Sequence, residues 1–140
     1  MIHLTFVCTG NTCRSPMAEH LCRHLAREKG WDLTCDSAGL YAYPGSPITP
    51  FAARAVEELT GTLPWHQARL FDPARQPKDS LVVGLAHSHV QVLRRLWPPE
   101  QVLALPQSIA DPFGLDYPDY LSCARQIREG LLALGKELFV

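Results

Sequence analysis

The 140-residue chain reads as an α/β protein built on a parallel sheet with helices on both faces. Two patterns predict it: short, branched apolar runs alternate with stretches of helical spacing along the whole chain, and cap and stop residues punctuate the joins. A third observation sets the size. With 46% hydrophobic residues the chain can fill one core, so residues 1–140 are expected to form one domain.

The elements follow in order. Ile2 to Val7 is short, apolar and bounded by Cys-Thr-Gly-Asn, as a buried strand should be. Ser15 and Pro16 read as an N-cap followed by proline at the first helical position, and Met17, Leu21 and Leu25 repeat at helical spacing up to a stop at Gly30. Leu33 to Ser37 is the second strand. Thr49 and Pro50 repeat the start signal before Ala52, Ala55, Val56 and Leu59, and Gly61 ends that helix. Leu81 to Ala86 reads as a central strand; the helix after it carries Val90, Leu93 and Leu96 and is stopped by Pro98 and Pro99. Gln101 to Leu105 is the fourth strand. A long helix closes the chain from about Tyr117, with Tyr120, Leu121, Ala124, Ile127, Leu131, Leu134 and Leu138 on one face.

Composition excludes several function classes. A formal net charge of −1, from 13 basic and 14 acidic residues, gives no general attraction for nucleic acid or an anionic membrane. Any bound anion must be held locally. Cys8, Cys13, Cys22, Cys35 and Cys123 form no even disulfide framework. Met1 to Val7 has no cationic leader and no segment is long and apolar enough for a membrane span, so a cytoplasmic protein is expected.

In open parallel sheets ligands sit beyond the carboxyl ends of the strands, and Cys8 begins the loop there. A loop that runs from a strand into a helix N-terminus points backbone N–H groups and partial positive charge at one spot, which suits a phosphate-sized anion. Thr9, Gly10, Asn11, Thr12 and Cys13 make the loop, with Gly10 and Asn11 as residues that tolerate a positive φ. Arg14 adds a planar fork for two phosphate oxygens. A thiol in so electropositive a cradle ionises below its free value of about 8.5 and becomes a nucleophile. A lone cysteine after a strand is commonly a core residue, but with Arg14, Ser15 and Pro16 following, Cys8 reads as catalytic. The departing atom needs a proton. Asp111 follows the last strand and belongs at the same sheet edge, so it is the candidate general acid and then base. Phe113 offers an apolar wall for a substrate side chain. Cys13 is close enough in sequence to Cys8 to trap an oxidised thiol as a protective disulfide. His87 and His89 face different ways on a helix and receive no role.

The run Cys-Thr-Gly-Asn-Thr-Cys-Arg-Ser-Pro from Cys8, with Asp36 to Gly39, His66 to Arg69 and Asp111 to Gly114, resembles the low-molecular-weight protein tyrosine phosphatase family, in order over nearly the whole chain. The resemblance implies a flavodoxin-like, three-layer fold with strand order 2-1-3-4. It also implies Cys8 as nucleophile through a phosphocysteine, Arg14 as phosphate clamp, the Ser15 hydroxyl on the thiolate and Asp111 as acid and base, with Asn11, Ser37 and His66 holding the loop. No cofactor or metal is expected. The partners are phosphorylated proteins, inorganic phosphate is the product, and a monomer is expected. Pocket selectivity falls to Thr12, Leu40, Tyr41 and Phe113. Tyrosine-specific relatives commonly carry isoleucine where Thr12 stands, and phosphoarginine-specific ones carry threonine, so phosphoarginine is the expected substrate and phosphotyrosine the alternative.

Two other chemistries fit poorly. Cys8, Cys13, His20 and His24 lack zinc-ligand spacing, because only six residues separate Cys13 from His20 and a helix must start between them. A thiol-dependent arsenate reductase, which resembles this fold and loop, needs a cysteine relay near the third strand, and Val82 to His89 holds none.

Overall fold

A computed structural model describes residues 1–139, and its four strands form one parallel sheet in the order β2-β1-β3-β4. β1 (Ile2–Cys8) pairs with β2 (Leu33–Gly39) on one side and β3 (Leu81–Gly84) on the other, and β4 (Val102–Ala104) pairs with β3. The helices are α1 (Arg14–Lys29), α2 (Pro50–Thr60), α3 (His87–Leu96) and α4 (Tyr117–Leu138). Strand order therefore reverses at β1, and the loop after it is the switch point where such sheets place their ligands.

Alternation along the strands divides the core. Leu4, Phe6, Cys8, Val83 and Leu85 join Met17, Leu21, Ala55, Ile127 and Leu131 in the cluster under α1, α2 and α4. Val7 and Val82 point the other way, with Ala38, Phe71, Val90, Leu93, Trp97 and Val102 in the cluster under α3. A strand buried on both faces reads as a continuous apolar run, which is why β1 was visible in the sequence. Among the described residues, no helix is long and apolar enough to cross a membrane.

Several boundaries differ from the sequence reading. β1 and β2 run on to Cys8 and Gly39, whereas β3 stops at Gly84 instead of Ala86. The cause is α3: a Cβ on Gly84 would lie 2.7 Å from Val90 Cγ2 and 2.8 Å from its backbone nitrogen, so the helix folds back directly over the end of β3 and the chain must leave the sheet. β4 is shorter than expected at both ends, with Gln101 drawn into a 3₁₀ turn over Pro99–Gln101. Ser15 is not the N-cap of α1. The helix begins at Arg14 after Cys13, and the Ser15 hydroxyl turns towards Cys8 instead of capping. Pro16 remains in the first turn, where N–H groups have no partner within the helix. α2 does start at Pro50 after Thr49, and Gly30 and Gly61 end α1 and α2 at φ 70° and 80°, where glycine is needed.

Candidate active site

Register places the ends of all four strands together. Cys8 lies opposite Gly39, Val7 opposite Gly84, and Gly84 opposite Ala104. The segments that leave these ends are the 9–13 loop, the 40–45 loop, the start of α3 and the 105–116 loop, so Cys8, Ser37, His89 and Asp111 gather at one edge of the sheet. Within the loop only Asn11 has a positive φ, 55°; Gly10 does not, contrary to the sequence reading. The glycine that close packing requires is Gly39, where a Cβ would lie 2.6 Å from the Thr9 carbonyl oxygen and 2.9 Å from the Asn11 nitrogen.

Asn11 organises the back of the loop, and its partners fix the direction of its own bonds. The Arg69 backbone N–H donates to Asn11 Oδ1 at 2.9 Å, so the Nδ2 hydrogens face the other way and donate to Ser15 Oγ at 2.8 Å and Ser37 Oγ at 2.9 Å. Ser37 spends its own hydrogen on Glu19 Oε1, at 2.6 Å. The Ser15 hydroxyl, already an acceptor from Asn11, has its hydrogen free for Cys8 Sγ at 2.9 Å, with the Ala38 carbonyl a longer second acceptor at 3.4 Å. The Ser15 backbone N–H donates to the same sulfur at 3.4 Å. Ser15 thus meets the buried sulfur with both its hydroxyl and its backbone N–H. His66, buried, donates from Nε2 to the Asn11 carbonyl at 2.7 Å. The motif around Asp36 and Arg69 has a physical basis as well: Arg69 Nη2 donates to Asp36 Oδ2 at 2.8 Å, and the Gly39 N–H donates to the Arg69 carbonyl, tying the 66–71 segment beside β2. Thr12 is fixed from the far side, its carbonyl accepting from the Thr49 N–H at the start of α2.

Arg14 is buried, and its Nη1 donates to the Ile109 carbonyl at 2.8 Å, which leaves the rest of the fork facing the loop. Nη2 lies 3.8 Å from Asp111 Oδ2, and that carboxylate is half exposed. Asp111 therefore stands at the mouth of the cradle with Arg14 beneath it, where a leaving group would pass. Its other oxygen accepts from the Phe113 N–H at 3.1 Å. Phe113 and Tyr41 are exposed beside this mouth. Leu40, expected in the pocket with them, instead packs against the Val7 and Phe71 cluster on the α3 side.

One group escaped the sequence reading. His89 is buried, accepts the Ala86 N–H on Nδ1 at 3.0 Å, and so donates from Nε2 to Thr9 Oγ1 at 3.0 Å, bracing the first residue of the loop. Burial pushes its imidazole down to about 4, helped by the Arg14 guanidinium and opposed by Asp111. The usable signal was position: a histidine just past the carboxyl end of the central strand. Cys123 is a buried thiol. It lies beneath the Asp111 loop, its thiol 3.9 Å from the Ala110 carbonyl, and burial pushes it up to about 12. All five cysteines are buried thiols, and burial also raises Cys13, with Cys123, Asp111 and Cys8 adding to the effect.

Comparison with known proteins agrees with this geometry. A family model described as low molecular weight phosphotyrosine protein phosphatase matches residues 3–139. A protein-arginine-phosphatase of Bacillus subtilis is 33% identical over 96% of this chain and 95% of its own length. The low molecular weight protein-tyrosine-phosphatase PtpB of Staphylococcus haemolyticus is 31% identical over 95% of this chain and 94% of its own. Among solved structures, a mutant YwlE arginine phosphatase with a phosphorylated active-site serine superposes with a TM-score of 0.90 at 30% identity, over 98% of this chain and 95% of that one. A low molecular weight protein tyrosine phosphatase from T. tengcongensis gives 0.90 at 28%, over 99% and 100%.

Proposed function

Because the chain belongs to the low molecular weight phosphotyrosine protein phosphatase family, we propose that it hydrolyses phosphorylated protein side chains through a phosphocysteine on Cys8, with phosphoarginine as the preferred substrate. The observation that carries the reading is the pair of Ser15 donors on Cys8 Sγ, at the head of a loop closed by Arg14. The Cys8 thiolate attacks phosphorus, while the loop N–H groups and the Arg14 fork hold the three equatorial oxygens as charge spreads over them. Protonated Asp111 gives its proton to the departing nitrogen or oxygen. Water then attacks the phosphocysteine, the Asp111 carboxylate takes the proton, and inorganic phosphate leaves with the thiolate restored. The phosphorylated active-site serine of the mutant neighbour supports covalent transfer. No step asks for a cofactor.

Substrate choice rests on Thr12. Among the described residues its side chain makes no hydrogen bond within the loop, so its hydroxyl is available to a guanidinium and offers an aromatic ring nothing. The 33% identity with a protein-arginine-phosphatase supports the same choice. Thr12→Ile should lower kcat/KM on phosphoarginine peptides by at least about fivefold, the rate equivalent of roughly 1 kcal/mol for a lost partner, and leave phosphotyrosine peptides unchanged or improved. Wild-type protein that hydrolyses phosphotyrosine and ignores phosphoarginine would return the assignment to a tyrosine phosphatase of the same mechanism.

A further inference from the structure

We propose that Glu19, His20 and His66 form a binding site for one divalent transition-metal ion, with zinc the best fit, behind the phosphate loop and separate from Cys8. One carboxylate oxygen and one imidazole nitrogen from each histidine lie within 4.8 Å of one another. All three side chains are largely buried: Glu19 and His20 are 12% and 15% exposed, and His66 is 9%. Two imidazoles and a carboxylate are a borderline donor set, which suits zinc over magnesium or calcium, and three protein ligands leave the fourth tetrahedral place to water.

The nitrogen that points to a missing partner is His20 Nε2, which is buried and has no hydrogen-bond partner in a structure that otherwise leaves few such atoms. The remaining ligands are compatible with the bonds already present. His66 uses Nε2 to donate to the Asn11 carbonyl, so Nδ1 is its metal-binding nitrogen. Glu19 uses Oε1 to accept from Ser37, which leaves Oε2. That oxygen now accepts from Arg23 Nη2 at 2.8 Å, and Arg23 Nη1 approaches His20 Nδ1 at 3.4 Å. Arg23 is thus the resident cation. Its Nη2 also donates to the Cys35 carbonyl at 3.0 Å, but the side chain is 41% exposed and can exchange these bonds for water, and His20 then carries its proton on Nδ1 and presents Nε2 to the ion. The bonds from Ser37 to Glu19 and from His66 to the Asn11 carbonyl would orient the ligands. Both bonds lead to Asn11, at the back of the phosphate loop.

The test uses cobalt(II) alone as the probe, on Cys8→Ser protein so that no reactive thiolate competes. One equivalent should bind with visible tetrahedral d–d bands and without the near-ultraviolet sulfur-to-cobalt band that a cysteine ligand would give. His20→Ala in that background should weaken binding at least about tenfold, whereas Arg23→Ala should tighten it by removing the competing cation. His20→Ala with Cys8 intact should keep its far-ultraviolet circular dichroism and its phosphatase activity, which separates ligand loss from misfolding. The proposal is overturned if Cys8→Ser binds no cobalt, if a sulfur band accompanies uptake, or if affinity ignores both substitutions.

Discussion

Behind Cys8, Asn11 alone makes four hydrogen bonds, to Ser15, Ser37, His66 and Arg69, and each partner is itself held. In front of Cys8, Tyr41, Tyr43 and Phe113 stand 78%, 82% and 73% exposed, and Asp111 touches Arg14 only at 3.8 Å. The two sides of one loop are built differently because they do different work. Donors aimed at a developing charge act without reorganisation only if they are fixed before the substrate arrives. A mouth that meets protein surfaces can leave its side chains in water and order them on binding, at a cost in affinity rather than in chemistry.

The largest effect tests the fixed side at its centre. Cys8→Ser should abolish turnover of every phosphomonoester while phosphate binding and the fold survive, since a serine hydroxyl is a far poorer nucleophile than a thiolate and any phosphoserine it forms is released far more slowly than a phosphocysteine; isothermal titration with phosphate beside a turnover assay measures both. Residual turnover close to wild type would end the nucleophile assignment.

Next is the open side. Asp111→Asn should cost about 10²- to 10⁴-fold on alkyl and plain phenyl phosphates and much less on an activated nitrophenyl ester, because poor leaving groups need the proton most. A uniform loss across that series would make Asp111 a structural residue and remove the mouth from the chemistry.

A smaller effect sharpens the account of the fixed side through pH. The His89 imidazole is pushed down to about 4 in the folded protein, against an ordinary value of 6.5. Between those values the unfolded chain binds the extra proton and the folded chain does not. Stability is therefore full above about pH 6.5 and falls as pH drops towards 4, by up to about 3 kcal/mol from this group. Urea unfolding from pH 4 to 7 should show a steeper loss in wild type than in His89→Gln. Parallel curves would mean that His89 titrates normally and does not brace Thr9 as a buried neutral ring.

The smallest concerns oxidation. Peroxide should inactivate the protein reversibly, with Cys8 joined to Cys13 in the mass spectrum, although the raised Cys13 thiol makes disulfide closure slower than the first oxidation. Cys13→Ala should turn over normally but recover from peroxide several-fold less completely. Equal recovery would leave Cys13 as packing behind the loop.

Much of this site was legible before any coordinates. Cys8, Arg14 and Ser15 are neighbours in sequence, so their spacing alone constrains their geometry, and Asp111 was placed at their edge by strand polarity. Leu40 was misplaced because a one-residue choice of face decides whether a loop side chain meets solvent or core. His89 was missed because its value lies in a bond to Thr9, eighty residues away, and nothing local marks it.

By itself, the sequence determined the alternation of strands and helices, the phosphate-sized loop and the residue types that carry the chemistry. Periodicity, capping and motif spacing are properties of adjacent residues, and the chain carries them whether or not it is folded. Only the tertiary structure decided that Glu19, Ser37, Asn11, Ser15 and Cys8 are joined in one chain of hydrogen bonds. It also decided that Gly39 rather than Gly10 makes room for the loop, and that His66 and His20 come together. Those outcomes depend on register across the sheet and on segments meeting from distant parts of the chain, where packing, not local preference, selects one arrangement.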